Sequence, residues 1–275
     1  MQSADPSART LEGRRGLVVS AAIEFRRLSY TTQQGRLLLD NISLELEEGT
    51  TTVILGRSGS GKTTLLRTVN RMIEPTDGEV RMRGEDVRRH DLITLRRGVG
   101  YVIQETGLFP HLSVERNVGL VLETEGLPRP ERILRSHELL SIVGLDPQSF
   151  ARRYPHQLSG GQRQRVGLAR ALAADPKILL MDEPFGALDP LTRAEMQDML
   201  RDLMTRMKKT VLVVTHDLNE ALYLGYRIVL MSEGKVVANL SSEEFLQSRE
   251  PQIESYVKAF YRGARRTPGS EAGRA

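Results

Sequence analysis

Cysteine and tryptophan are both absent from this chain of 275 residues, and aromatic residues make up only 5% of it. Without cysteine there can be no disulfide and no thiolate metal centre, a composition compatible with the cytosol. So few aromatic rings offer little for base-stacking platforms, and a nucleic-acid partner is not expected. Long hydrophobic runs are lacking as well: nothing approaches the roughly 18 apolar residues of a membrane-spanning helix. Residues 1–22 offer only Leu17-Val18-Val19 where a signal peptide needs an apolar core, and no such region follows Arg14-Arg15-Gly16, which otherwise opens like a twin-arginine signal. A large excess of either charge is also missing, since 39 Lys and Arg stand against 35 Asp and Glu for a net +4. The two signs are interspersed, which leaves anionic lipid headgroups as partners for local Arg-rich patches. A cytosolic chain is expected. The 39% hydrophobic and 27% charged content describes one large α/β domain or two small ones with an ample core.

What is present is concentrated in Gly56-Arg57-Ser58-Gly59-Ser60-Gly61-Lys62-Thr63-Thr64. An apolar β-type run, Thr52-Val53-Ile54-Leu55, precedes it, and a helix-period run, Leu65 to Val69, follows. Strand, glycine-rich turn and helix are the context of a phosphate-binding P-loop. Its glycines let the backbone wrap so that successive N–H groups converge on an anion, at the positive end of the helix dipole. Lys62 adds charge toward the outer phosphates, and the Thr63 hydroxyl is a donor to Mg²⁺. Binding of a nucleoside triphosphate follows.

Ahead of the P-loop, Ile23-Glu24-Phe25, Leu37-Leu38-Leu39 and Ile42 to Leu46 read as short strands of an antiparallel layer beside the main sheet. Tyr30 falls in an expected loop there, where it is either core filler or a ring that stacks on a base. After the turn Glu74 to Gly78 come an exposed strand, Glu79–Gly84, and a β-type run, Gly100 to Gln104. Helix periodicity from Leu112 to about Phe150, interrupted by Gly126, Pro128 and Pro130, predicts a helical insertion within one sheet. In Leu158-Ser159-Gly160-Gly161-Gln162, the spacing of Ser159 and Gln162 fits a capping box, while the two glycines expose N–H groups at a helix start. Capping alone and a second anion site both remain open for it.

The apolar run Lys177 to Met181 ends in Asp182-Glu183. Buried parallel strands read as continuous apolar runs, and ligands gather at their carboxyl ends. Asp182 is thereby placed to reach Mg²⁺, and Glu183 to deprotonate a water; a solvated strand end is the plainer alternative. A further strand, Thr210 to Thr215, ends at His216-Asp217, where the histidine is either structural or within reach of the γ-phosphate. Arg227–Met231 and Lys235–Ala238 form a hairpin about Glu233-Gly234, helical segments follow around Pro251, and Arg262–Ala275 reads as a disordered basic tail.

Taken together, these residues resemble the ATPase subunit of an ATP-binding-cassette transporter over residues 23 to about 240. The order of motifs carries the resemblance: the P-loop, a Q-loop at Gln104, the signature Leu158 to Gln162, the Walker B end Asp182-Glu183, a D-loop at Ala187-Leu188-Asp189 and a switch histidine at His216. The resemblance implies an α/β fold with a P-loop RecA-like core, an antiparallel β subdomain, and a helical subdomain inserted at about 105–158. A tail at 1–22 and a C-terminal helix with disordered tail at 241–275 flank it. It also implies ATP and Mg²⁺ as cofactors, with Thr63, Gln104 and Asp182 at the metal. Glu183, His216 and Gln104 would serve hydrolysis, Tyr30 would stack on adenine, and Ser159, Gly160, Gly161 and Gln162 would cover the γ-phosphate held by a second copy. A homodimer closed on two nucleotides, at the cytoplasmic face of a membrane and with a permease docked near Gln104–His111, is the implied assembly. A substrate-binding protein would act on it indirectly. The stretches Tyr101 to His111 and Met181 to Arg193 look like importers of glycine betaine, choline, carnitine or proline; sulfonate, nitrate or polyamine importers are the alternative, and a cassette ATPase acting on nucleic acid is a more remote one. Many such subunits add a C-terminal pair of regulatory domains, for which residues up to Ala275 leave no room, so osmotic gating by that route is not expected.

Overall fold

A computed structural model describes residues 21–104 and 106–264. The N-terminal tail predicted for residues 1–20 and the end of the basic tail, 265–275, lie outside the described residues. In chain order the elements are β1 (Ala21–Thr31), β2 (Leu37–Glu47), β3 (Thr51–Leu55), α1 (Lys62–Val69), β4 (Asp77–Met82), β5 (Glu85–Asp86), α2 (Leu92–Arg97) and β6 (Val99–Val102). Four helices follow, α3 (Val114–Val118), α4 (Leu120–Thr124), α5 (Arg129–Ile142) and α6 (Pro147–Phe150), and then α7 (Gly160–Ala171), β7 (Ile178–Asp182), α8 (Pro190–Met207), β8 (Thr210–Thr215) and α9 (Leu218–Leu224). The hairpin β9 (Arg227–Ser232) and β10 (Lys235–Ser241) leads to α10 (Ser242–Gln247) and α11 (Pro251–Ala264).

Two sheets organise these elements. The larger runs β10-β9-β3-β8-β7-β6, parallel except for β10 at its edge, and the smaller, antiparallel one runs β2-β1-β4-β5. Side chains alternate across a strand, so a central strand buried on both faces is apolar throughout. Val53 and Leu55 of β3 join Val211 and Val213 of β8 in a core shared with α3, α5, α7, α8 and α9. Ile54, Leu212 and Val214 point the other way, into a core completed by β1, β2 and Leu65, Leu66 and Val69 of α1. The helical insertion therefore covers one face and the antiparallel sheet the other.

Several boundaries differ from the sequence expectation. Strand β1 starts at Ala21, with Ala22 fully buried and Ala21 paired with Glu47, so the tail expected over 1–22 stops short of these two residues. Leu37–Leu39 and Ile42–Leu46 form one strand, because Asn41 takes a left-handed φ of 50° and bulges the ladder instead of ending it. Its N–H is held by the Ser29 hydroxyl at 3.0 Å. Tyr30 consequently sits within β1, opposite Leu39, and not in a loop. Pro130 does not separate helices: it occupies the first turn of α5, where no N–H is needed. Helix α11 continues through Arg262 to Ala264, three residues into the segment expected to be disordered. The closing hairpin turns at Glu233 (φ 49°) and Gly234 (φ 77°), the pair of positive φ angles such a turn requires.

Candidate nucleotide-binding site

The P-loop connects β3 to α1 and must pass close to other backbone. A side chain at Gly56 would meet the Met231 carbonyl oxygen at 2.4 Å, and one at Gly61 would meet that of Leu38 at 2.7 Å, at a φ of 97°. Glycine alone fits both places. Gly61 caps α1 without a side-chain bond, and the first i→i−4 bond runs from Leu65 N to Gly61 O. The N–H groups of Lys62, Thr63 and Thr64 thus lack helical partners. Among the described residues the buried Ser60 hydroxyl has no hydrogen-bond partner either. Unsatisfied donors at a helix start are what a phosphate would pair with. Arg57, Ser58 and Gly59 form the exposed outer arc.

Lys62 is only 5% exposed, and its ammonium arches back to donate to the carbonyls of Gly56 at 2.8 Å and Arg57 at 2.9 Å. Burial lowers its pKa, opposed by the carboxylates of Glu183 and Asp182. Asp182, buried at the end of β7, accepts from the Thr63 hydroxyl on Oδ1 at 2.7 Å. Its Oδ2 faces Arg67 Nη2 at 3.5 Å and the Tyr101 hydroxyl at 3.4 Å. Glu183 leaves the strand at a left-handed φ of 45°, a conformation costing about 1–2 kcal/mol for a non-glycine residue. Its N–H still donates to Val214 O at 2.9 Å, which holds the turn against β8. The carboxylate then meets His216, Glu183 Oε2 lying 3.3 Å from Nδ1. P-loop, Asp182, Glu183 and His216 thus converge at the carboxyl ends of β3, β7 and β8.

Other predicted site residues lie apart from this cluster. Gln104 is exposed two residues beyond the end of β6 and lines a small cavity with Gly160, Arg163, Pro184 and Ala187; no hydrogen bond joins it to Thr63 or Asp182 among the described residues. Tyr30 packs partly against the core under the P-loop, and its strand partner Leu39 would touch any side chain placed on Gly61. Ser159 caps α7, accepting from Gln162 N at 3.2 Å, while Gln162 Oε1 accepts from Ser159 N at 3.0 Å. Gly160 is exposed and Gly161 is packed close to the Thr192 methyl. No hydrogen bond or ion pair links Ser159–Gln162 to the P-loop among the described residues.

Arg67 and Tyr101, which brace Asp182, were not expected from sequence. The signal was there: Arg67 is four residues after Thr63, on the same face of α1. Tyr101 pairs with Leu180, which shares its face of β7 with Asp182.

Thr63 and Asp182 present hard oxygen atoms at contact distance, a set suited to Mg²⁺ that takes its other ligands from phosphate and water. The family model described as "ABC transporter" matches residues 39–186, more than half of the chain. The chain belongs to the ABC transporter family. Among its relatives, the osmoprotectant import ATP-binding protein OsmV of Salmonella typhimurium is 47% identical over 208 residues, 76% of this chain and 54% of that protein. The glycine betaine uptake system ATP-binding protein YehX of Escherichia coli is 48% identical over 199 residues, 72% of this chain and 64% of that protein. The chain therefore spans only about half to two thirds of the length of these relatives. Of solved ATPase cassettes, the dimeric cassette MJ0796 bound to ADP and Pi superposes with a TM-score of 0.73 at 36% identity, covering 80% of this chain and 98% of that one. The cbiO1 protein of Clostridium perfringens gives a TM-score of 0.77 at 26% identity, covering 87% and 99%.

Replacing Lys62 by Ala in this cassette removes the one ammonium in the P-loop. ATP affinity measured by calorimetry is expected to fall about 10-fold to 100-fold, the loss of one hydrogen bond to a charged group. Unchanged affinity would remove Lys62 from the phosphate site.

Proposed function

We propose that this chain is the ATP-hydrolysing subunit of an importer that takes up quaternary ammonium osmoprotectants (glycine betaine, choline, carnitine) or proline through a membrane permease. The observation that carries the hydrolytic part is the joining of Thr63 to Asp182 and of Glu183 to His216 at the ends of adjacent strands. The solute class is supported by relatives named for osmoprotectant import, for choline transport and for glycine betaine uptake.

In this reading the P-loop N–H groups, Lys62 and the Ser60 hydroxyl hold the triphosphate, and Tyr30 supplies a ring for the adenine. Thr63 and Asp182 would hold Mg²⁺, which would supply positive charge to stabilise the triphosphate during hydrolysis. Arg67 and Tyr101 keep the Asp182 carboxylate oriented toward Thr63. Glu183 is the base that takes a proton from the attacking water, and His216 fixes the orientation of its carboxylate while keeping a second ring nitrogen for the γ-phosphate. Gln104, on its own loop, would join the metal and the water when that loop moves.

Two copies would sandwich two nucleotides head to tail, with Ser159, Gly160, Gly161 and Gln162 of one over the γ-phosphate of the other, in an isologous interface. The dimeric form of the MJ0796 cassette supports this arrangement. Among the described residues no helix is long and apolar enough to cross a membrane. Permease contact is assigned to the segment ending at His111, peripheral to the membrane on its cytoplasmic face. There Phe109 is exposed, while the buried Asn117 amide ties the loop to α3 through the carbonyls of Phe109, Leu112 and Ser113. A substrate-binding protein would deliver the solute to the permease without touching this subunit.

Uptake of labelled glycine betaine and choline by cells lacking the gene is the direct test; it should drop when no other importer is expressed, and undiminished uptake of both would exclude the proposed solutes. Glu183→Gln should bind ATP normally and accumulate as a dimer on gel filtration, with turnover at least about 100-fold slower, the usual contribution of a general base. Ordinary turnover would take that role from Glu183. Ser159→Arg should keep ATP binding by the monomer but abolish ATP-induced dimerisation, and a normal dimer would refute the shared site.

A further inference from the structure

Helix α11 lies well beyond residues 39–186, the part matched to the family. Ile253, Tyr256, Val257 and Phe260 recur at helical spacing and pack one face of it onto the core. Tyr256 also makes a polar contact: its hydroxyl donates a hydrogen bond of 2.9 Å to the main-chain carbonyl of His216. Burial, together with the nearby Asp217 carboxylate and partly offset by Arg57, pushes this phenol up to about 12. It therefore remains a donor at neutral pH.

The loop that carries His216 has few other restraints on that side. The histidine side chain is 59% exposed, and the Glu183 carboxylate lies 3.3 Å from its Nδ1. Asp217 is tied in by its N–H to the Thr215 hydroxyl at 3.0 Å and by capping α9, so the bonds that follow His216 fix its neighbour. A cavity of about 500 Å³, lined by Arg57, His216, Ser232, Gln252 and Tyr256, separates this part of α11 from the P-loop. On this side the Tyr256 hydroxyl is the hydrogen-bond donor from α11 to the His216 backbone among the described residues.

We propose that Tyr256 is a positioning residue for hydrolysis: its bond to the His216 carbonyl keeps the switch histidine facing Glu183. The inference rests on ATP being hydrolysed at Glu183 and His216. Without the hydroxyl, the turn from Thr215 to Asp217 reorients, the chemical step slows, and nucleotide binding by residues 56–64 is untouched. A Tyr256 that merely packed the helix would act through stability, and would act equally with or without the His216 ring.

Tyr256→Phe keeps the ring and removes the hydroxyl. Its kcat should fall about fivefold to tenfold, as expected for one hydrogen bond, with KM and ATP affinity changed by less than about twofold. The same substitution in a His216→Ala background, followed as slow phosphate release from radiolabelled ATP, should alter the rate by less than about twofold, because the two residues act as one unit. A kcat within twofold of wild type, or an equal loss in both backgrounds, would overturn the inference. Wild-type protein that failed to hydrolyse ATP would overturn the assigned chemistry and this role with it, whereas active wild type beside an unaffected Tyr256→Phe would remove Tyr256 alone.

Discussion

Thr63 and Asp182 stand 119 residues apart in sequence and meet at 2.7 Å, and Lys62, Glu183 and His216 are arranged around that contact. It is possible because β8 lies between β3 and β7. Neighbouring strands run about 4.8 Å apart, so the ends of β3 and β7 are separated by about 10 Å. The start of α1 crosses that gap from one side and the Asp182 carboxylate from the other. Register keeps the three ends level, with Leu55 opposite Thr215 and Asp182 opposite Val214. The strand in the middle then delivers His216 next to Glu183. An order that placed β3 directly against β7 would close the gap and leave the histidine outside it.

The same convergence sets the electrostatics. Burial disfavours the charge on Lys62, and two carboxylates offset part of that cost. Its ammonium bonds to two carbonyls of its own loop, which are neutral acceptors. A phosphate is a stronger, charge-assisted acceptor, and it would also satisfy the Ser60 hydroxyl and the open N–H groups of α1. The donors are already fixed by glycine geometry and by the helix start, so little ordering is left to oppose binding. Arg67 and Tyr101 act on the opposite side of Asp182, where they hold one oxygen and leave the other for Thr63.

Local signals made much of this legible. The P-loop, the apolar strands ending at Asp182 and Thr215, the capping box at Ser159 and the turn at Glu233-Gly234 each lie within a few residues, where turn chemistry and burial act directly. What could not be read depends on the tertiary partner. Tyr30 reads as a loop residue because nothing near it in sequence announces that the bulge at Asn41 lets β2 continue alongside it. Helix α8, with 18 residues, was not anticipated between the D-loop and β8, although Asp189 at its start accepts from Thr192 N as a capping residue does. Its exposed face sets Leu191 and Ala194 among Glu195, Asp198, Arg201, Asp202 and Arg206, which blurs the apolar stripe that Met196, Leu200 and Leu203 provide. Gln104 was assigned by motif order, and order does not specify on which side of a loop a side chain rests.

The two sequence readings of Ser159 prove compatible. In the capping box the serine hydroxyl accepts from Gln162 N and keeps its own proton, while the glutamine carbonyl takes the Ser159 N–H. The N–H groups of Gly160 and Gly161 fall in the first turn of a 12-residue helix and have no helical partners. Capping therefore holds a hydroxyl proton and two N–H groups in a fixed array at the positive end of the dipole, instead of consuming them. That array makes no hydrogen bond to the P-loop of its own chain among the described residues, while the P-loop has unsatisfied donors of its own. Two sets of anion donors that do not meet within one chain are economical if a single triphosphate, held by one copy, is shared with a second. The proposed dimer is consistent with this mismatch, since each set is already built without the other.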